Sequence, residues 1–189
     1  MVDRPVKPLI LGEAPSKTGD SYWQFPLSGE VGRRLHEMAG LDIDVGASTY
    51  GQYYWPLKRE FDLANVIERY PGPGRGAGAD FPRRQALAGL QLLTSEGELP
   101  PGRVVVCLGR RVLKLLVPGE LPFYKWVKLN GWVIAGIPHP SGLTRNYNDR
   151  REWELAGRTL RGAIQRARRY ENDLLAAEAE AQLDESEVP

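Results

Sequence analysis

The chain has 189 residues, with 25 basic and 24 acidic side chains, one cysteine and two histidines. This length fits one domain with its own core, and the composition is that of an ordinary globular protein. A single thiol excludes an internal disulfide framework, a four-cysteine zinc site and an iron–sulfur cluster held by cysteines.

No run of apolar residues approaches the roughly 18 that a helix needs to span a bilayer. The first residues also lack the pattern of a signal peptide. We therefore expect a monomeric protein of the cytoplasm, without a membrane partner.

The net charge of +1 conceals an uneven distribution along the chain. Residues 171–189 carry seven acidic side chains and no basic one, which leaves 17 acidic against 25 basic side chains in residues 1–170. A basic body with an acidic tail is compatible with nucleic-acid binding, although the tail could equally be only a solubilising end. We expect one domain over 1–170 and a tail over 171–189 that is a helical extension or disordered.

The first half of the chain alternates strands and helices. The predicted elements are a strand at Val6–Gly12, a helix at Gly29–Gly40, a short helix within 48–60 and a strand at Phe61–Ile67. Ser28 is the expected N-cap of the first helix, and His36 on that helix is expected to be exposed. The first strand opens into a loop rich in glycine and proline, which is a usual place for a ligand site in α/β proteins.

The second half continues the alternation. Its predicted elements are a helix at Pro82–Ser95, a strand at Arg103–Leu108, a helix at Arg110–Val117, strands at Lys125–Leu129 and Trp132–Ile137, and a helix from an Asp149 cap to about Tyr170. Asn130-Gly131 predicts a type I′ hairpin turn. Cys107 lies in an apolar strand and is expected to be buried. The alternation predicts a three-layer α/β/α sandwich with a mainly parallel central sheet.

His139 is the first candidate functional residue. Pro138 and Pro140 restrict the backbone on both sides of it, so the imidazole is expected in a rigid loop at a strand end. Arg145 and Asn146 follow closely, and these side chains are suited to phosphate contacts. The alternative is a structural histidine in an ordinary turn.

Asn65 and a group of aromatic residues are further candidates. Asn65 interrupts an apolar strand near its end, so its amide is either a satisfied core group or a reader of a ligand. Tyr22, Trp23 and Phe25 lie in a segment without clear periodicity. They form either a wall on which a base stacks or a small satellite of the core.

Five motifs occur in a characteristic order. They are Gly12-Glu13-Ala14-Pro15, Pro26-Leu27-Ser28-Gly29-Glu30-Val31-Gly32, Asn65-Val66, Leu108-Gly109-Arg110 and His139-Pro140-Ser141. Together they resemble the uracil-DNA glycosylase superfamily over roughly residues 7–165, and most closely its branch with Gly-Glu-Gly-Pro and His-Pro-Ser motifs. That branch usually carries an iron–sulfur cluster, which a chain with one cysteine cannot hold.

The resemblance implies a fold, a reaction and a role for each motif. The enzyme would flip a pyrimidine out of DNA and hydrolyse its N-glycosidic bond, without a metal or other cofactor. The loop Gly12 to Pro15 would position the attacking water, with Glu13 as its charged group. Asn65 would bond the base edge and His139 would donate to the base O2. Leu143 would fill the hole in the stack, and the DNA backbone would be contacted by Ser141, Arg145, Asn146 and Arg150.

Two positions depart from the pattern of the relatives. Ala14 stands where many of them have an aspartate or asparagine directed toward water, and Leu27 stands where a phenylalanine stacks on the base. Phe25 or its aromatic neighbours would then supply the stacking. A smaller wall at Leu27 would enlarge the pocket, so the base would be uracil or a modified pyrimidine, in a setting of DNA repair or of phage defence.

Two other functions remain open. A DNA-binding module that kept the pocket but turns over weakly is compatible with Ala14 and Leu27. A hydrolase of free nucleotides or other N-glycosides would not need Leu143 or the arginines that follow it. A monofunctional DNA glycosylase is the leading hypothesis, because a pure binder would not need Glu13, Asn65 and His139 together.

Overall fold

The computed structural model describes residues 6–14, 26–27, 29–48, 51–67, 82–95, 100, 102–141 and 145–186, with the backbone alone at 145–146 and 178–186. The strands in this part are β1 (Leu9–Gly12), β2 (Asp62–Asn65), β3 (Val104–Leu108), β4 (Trp126–Leu129) and β5 (Trp132–Ile137). The helices are α1 (Glu30–Ala39), α2 (Gly51–Glu60), α3 (Arg83–Ser95), α4 (Arg110–Leu116) and α5 (Arg150–Ser186), with a 3-10 turn at Arg145–Asn148 before α5.

The five strands form one sheet in the order β2-β1-β3-β5-β4. All neighbouring pairs are parallel except β4 and β5, which form an antiparallel hairpin. The chain passes from β1 to β2 on one side and then crosses to β3 on the other side of β1. The point where the direction of winding reverses therefore lies between β1 and β3, which is where ligands usually bind in open α/β sheets.

Helices cover both faces of the sheet, so the predicted three-layer arrangement is confirmed. Alternate residues of β3 point to opposite faces, as the period of a strand requires. Val104 and Val106 pack with residues of α1, α2 and α5, whereas Val105 and Cys107 pack with residues of α3 and α4. Burying each large apolar side chain of these two layers contributes about 1.5–3 kcal/mol.

The hairpin and the cysteine are as the sequence predicts. Asn130 and Gly131 both have positive φ, at 51° and 79°, which is the conformation of a type I′ turn. The turn pairs Leu129 with Trp132. Cys107 is fully buried, and this burial raises the pKa of its thiol to about 12.

Two expectations about α1 are wrong. The N-cap position of the helix is held by Gly29, with φ 73° and no side-chain cap, and not by the predicted Ser28, which lies outside the described residues. His36 is buried rather than exposed, because α1 packs against both α2 and α5. Its Nε2 lies 3.2 Å from the carbonyl oxygen of Asp42, and its ring meets Tyr53 edge to face.

Helix α5 begins where the sequence predicts and ends later. Asp149 Oδ1 accepts a hydrogen bond of 2.8 Å from the backbone N–H of Arg151, which is the expected cap. The helix continues past Tyr170 to Ser186, although Ala167 is the last of its described side chains in the core. None of the described helices combines the length and apolar character that crossing a membrane requires.

Candidate active site

The parallel strands bring the predicted motifs to one edge of the sheet. Gly12 at the end of β1 is in register with Asn65 at the end of β2, and Leu108 at the end of β3 is in register with Ile137 at the end of β5. The segments that leave these strands carry Glu13, Gly109 and His139. Sheet geometry spaces neighbouring strands about 4.8 Å apart, so roughly 14 Å separates the backbones of β2 and β5.

Gly12, which has no side chain, leaves room for two of the side chains predicted to bind the base. A methyl group on its Cα would overlap both Asn65 Oδ1 and Leu27 Cδ2. The amide of Asn65 and the side chain of Leu27 therefore lie side by side over the Cα of Gly12, and a side chain at that position would displace both. The structure thus brings together three of the residues that the sequence predicts to bind the base.

The Asn65 amide oxygen is buried and has no hydrogen-bond partner among the described residues. The backbone around it is fully paired, because the N–H of Val66 donates to the carbonyl of Gly12 and that of Ile67 donates to the carbonyl of Glu13. Native proteins leave few buried polar atoms unpaired, and each such atom costs about 1–3 kcal/mol. An unpaired acceptor at the carboxyl edge of a parallel sheet is suited to a ligand that donates an N–H group.

Leu27 adopts a backbone conformation that is unusual for its residue type. Its φ is +58°, in the left-handed region, which costs a residue with a Cβ roughly 1–2 kcal/mol. The side chain is nevertheless buried, and its carbonyl oxygen lies where a side chain on Gly32 of α1 would be. Packing against Gly12 and Gly32 therefore holds Leu27 in a strained position beside the Asn65 amide.

An ion pair links the segments that follow β1 and β3, where the direction of winding of the sheet reverses. Arg111 Nη1 on α4 lies 3.5 Å from Glu13 Oε1 after β1, and the side chains are 48% and 30% exposed. The neighbouring Ala14 packs against the core layer of α3 and α4. Glu13 is thus the residue of this described segment that offers a charged group to a ligand.

His139 follows β5 and packs closely against the backbone of Gly109. Its Cβ lies 3.4 Å from the place where a side chain on Gly109 would begin, and Gly109 has φ +85°, which favours glycine. The backbone N–H of Gly109 donates to the carbonyl of Ile137 at 2.8 Å. Burial lowers the pKa of the His139 imidazole below its ordinary value, so the ring is neutral near pH 7.

Two residues that sequence reasoning missed fix the histidine loop. Tyr147 Oη donates a buried hydrogen bond of 2.6 Å to the carbonyl of Pro138, directly before His139. Arg34 Nη1 on α1 donates a hydrogen bond of 3.3 Å to the carbonyl of Ser141, directly after the Pro140 peptide. Neither residue lies in a recognisable motif, and the signal for both is tertiary packing.

The structure describes the remaining predicted residues only in part. Pro15, Phe25 and Leu143 lie outside the described residues, as do the side chains of Arg145 and Asn146. Ser141 is half-buried. Arg150 stands at the start of α5 with its side chain 94% exposed, and it pairs with Glu154 at 3.3 Å.

Among the described residues, no three or more His, Cys, Asp or Glu side chains are grouped so that they could hold a metal ion.

Comparison with protein families decides the relationship that the motifs suggest. The family model of the uracil DNA glycosylase superfamily matches residues 2–159. The chain belongs to the uracil-DNA glycosylase superfamily. A search of curated proteins found no significant match.

Membership in the uracil-DNA glycosylase superfamily indicates a DNA glycosylase, and with it a DNA partner and a hydrolase reaction, in general terms. The matched region spans all five strands of the sheet and the first ten residues of α5. It includes the ends of β1, β2 and β5, from which the candidate site is built.

Proposed function

We propose that the protein is a monofunctional DNA glycosylase that flips out uracil or a modified pyrimidine and hydrolyses its N-glycosidic bond, leaving an abasic site. The observation that carries this proposal is the unpaired amide oxygen of Asn65, buried on Gly12 at the edge of the sheet that also presents His139. An amide in this state rejects a ligand with the wrong donor pattern, because its own groups would stay unpaired.

In the proposed reaction the oxygen of a water molecule bonds to the sugar C1′ while the bond from C1′ to the base nitrogen breaks. The bonding electron pair leaves with the base, whose negative charge is shared with its O2 oxygen. Glu13 in the loop Gly12 to Pro15 orients the water and takes its proton. Arg111, which pairs with Glu13, keeps the carboxylate turned toward the end of β1.

His139 supplies a neutral donor to the O2 oxygen of the departing base. Its pKa is lowered by burial, so the ring carries one proton rather than two near pH 7. A fixed donor aimed at a developing oxyanion stabilises the transition state more than the ground state. Loss of such a donor typically raises the barrier by about 2.7–4 kcal/mol.

The DNA is held by groups that follow His139 in the chain. Leu143 is the proposed wedge that fills the space of the flipped nucleotide, while Ser141, Arg145, Asn146 and Arg150 contact the phosphate backbone. Extrusion of a nucleotide costs a few kcal/mol, which an apolar wedge and phosphate contacts offset. Leu143→Ala should slow release from duplex DNA and leave any activity on a free nucleotide unchanged.

The identity of the base depends on the wall next to Asn65. Leu27 is smaller than the phenylalanine of the relatives, so a pyrimidine with a bulky substituent is a candidate substrate beside uracil itself. Excision of uracil would serve DNA repair, and excision of a hydroxymethylated or glucosylated base would serve defence against phage DNA.

The test is release of the base from labelled oligonucleotides that contain uracil, hydroxymethyluracil, hydroxymethylcytosine or glucosylated cytosine, in single and double strands. His139→Ala is the control for each substrate, and it should lose release by roughly two to three orders of magnitude. Release at the same rate by His139→Ala would contradict the proposed oxyanion role.

A DNA-binding module with weak turnover is the second candidate. The observation in its favour is that Ala14 packs on the core and offers no polar group to a water molecule. Tight binding of the same oligonucleotides, without release of any base, would select this function over the first.

A further inference from the structure

The hydrogen bond between Tyr147 and Pro138 acts on the peptide unit that carries His139. The carbonyl of Pro138 and the N–H of His139 belong to one planar group, so fixing the oxygen fixes the plane. The ring of Pro138 already restricts its own φ. The bond from Tyr147 Oη, at 2.6 Å, adds the missing restraint on ψ of Pro138 and so sets the position of the His139 Cα.

The other side of His139 is restrained as well. A residue before proline is confined to extended conformations, and Pro140 imposes this on His139. The carbonyl of Ser141 accepts a hydrogen bond from Arg34, which is itself paired with Glu30 on α1. With the backbone fixed on both sides, the direction of the imidazole depends chiefly on χ1 and χ2 of His139.

The surroundings of Tyr147 keep its hydroxyl protonated and able to donate a hydrogen bond. Its side chain is 8% exposed, and its ring packs edge to face on Trp153 at the start of α5. Burial, together with the nearby carboxylate of Glu152, raises the pKa of the Tyr147 hydroxyl above its usual range. The phenol therefore keeps its proton near neutral pH.

We propose that Tyr147 is a positioning residue for His139. Its hydroxyl locks the Pro138 peptide, and through it aims the imidazole at the oxyanion of the departing base. The catalytic part of this inference rests on the proposed function. The structural part, that Tyr147 sets the environment of the His139 ring, does not.

Tyr147→Phe removes the hydroxyl and keeps the ring that packs on Trp153. Tyr170→Phe is a matched control, because the hydroxyl of Tyr170 lies beside Gly102, before the start of β3, and not at the histidine loop. Trp153→Phe is a second variant that loosens the Tyr147 ring without removing its hydroxyl. Each is made in the full chain, and circular dichroism checks that it is folded.

The first readout is independent of activity. The chain has two histidines, so NMR of labelled imidazoles gives two sets of signals, and His139→Gln identifies the set that belongs to His139. Tyr147→Phe should shift the His139 signals and bring the ring's pKa closer to its ordinary value. Trp153→Phe should act in the same direction, and Tyr170→Phe should leave the His139 signals in place.

The second readout is base release under single-turnover conditions. Tyr147→Phe should lower the maximal rate constant about tenfold. The enzyme concentration that gives half of this maximal rate should change by less than about twofold. The same substitution in a His139→Ala chain should have no further effect, because the donor it positions is gone.

The outcomes separate the two proposals. If the wild-type chain releases no base but Tyr147→Phe still shifts the His139 signals, the proposed function fails and the positioning role stands. The positioning role is overturned if Tyr147→Phe leaves the His139 signals unchanged. It is also overturned if Tyr147→Phe slows release equally with and without His139.

Discussion

Gly12 lies so close to Asn65 that a methyl group on its Cα would displace the amide oxygen of Asn65. The two residues are in register on neighbouring parallel strands, so the contact is set by the sheet and not by a flexible loop.

Gly12→Ala should displace the Asn65 amide and the Leu27 side chain together. Overpacking of this kind typically lowers the free energy of unfolding by about 1–3 kcal/mol. The protein should therefore remain folded, while the rate constant of base release falls because the displaced amide no longer meets the base. Urea unfolding and single-turnover release measure the two effects. Gly46→Ala is the control, because the nearest atom to its new methyl group is 3.8 Å away, and it should behave as wild type.

Asn65→Asp should change the preference among bases. The amide offers both an acceptor and a donor to the base edge, whereas a carboxylate offers only acceptors. A base with an acceptor at its O4 position then loses its partner, and a base with an exocyclic amino group keeps one. The ratio of uracil to cytosine release should therefore fall, and an unchanged ratio would remove Asn65 from the role of base reader.

Arg111→Ala should slow base release with little loss of stability. The ion pair with Glu13 is well exposed on both sides, and pairs of this kind contribute about 0–1 kcal/mol. Without Arg111, Glu13 is free to turn away from the end of β1, so we expect a rate loss of about tenfold or more. Arg168→Ala is the control, because it breaks a comparable pair with Glu60 far from the site, and its rate should match that of the wild type.

The lowered pKa of His139 predicts a dependence of stability on pH. The unfolded chain protonates this histidine near its ordinary value of about 6.5, whereas the folded chain does so only at lower pH. Between the two values the unfolded state binds more protons, so the free energy of unfolding falls as the pH is lowered below 6.5. His139→Gln should weaken this fall, as measured by urea unfolding over a pH series, and an identical slope would contradict the assignment.

Removal of residues 171–189 should leave the fold intact and strengthen DNA binding. The last described core side chain of α5 is Ala167, and Tyr170, which lies beside Gly102, is retained. The deletion changes the net charge from +1 to +8. Affinity for DNA should rise most at low salt, with a steeper salt dependence. Unaltered affinity and salt slope would mean that the tail is a solubility device.

The sequence predicts most of the fold because the strands are short, apolar and separated by clear turn signals. Val104 to Leu108 and the Asn130-Gly131 turn are local patterns, and the structure has them where the sequence places them. The prediction for His36 is wrong because its burial depends on how α2, the next helix, and α5, from the far end of the chain, pack on α1. No local pattern carries that information.

The same distinction applies to the candidate site. Motif residues such as Glu13, Asn65 and His139 can be found from sequence order. The residues that contact these segments, Arg111 and Tyr147, lie in no motif. Arg111 pairs with Glu13 from 98 positions along the chain, and Tyr147 bonds to the carbonyl of Pro138 nine residues before it. The left-handed backbone of Leu27 is likewise not predictable from the sequence, because leucine rarely adopts it and the close packing on Gly12 and Gly32 appears only in the fold.

The order of the strands also bears on how this site can evolve. Asn65 ends β2, which has one neighbour among the described strands, whereas His139 follows β5, which is paired on both sides. Substitutions around the proposed base reader therefore disturb one strand pairing, and those around the proposed oxyanion donor disturb two. Substitutions near the proposed base reader are accordingly expected to disturb the sheet less than substitutions near the proposed oxyanion donor.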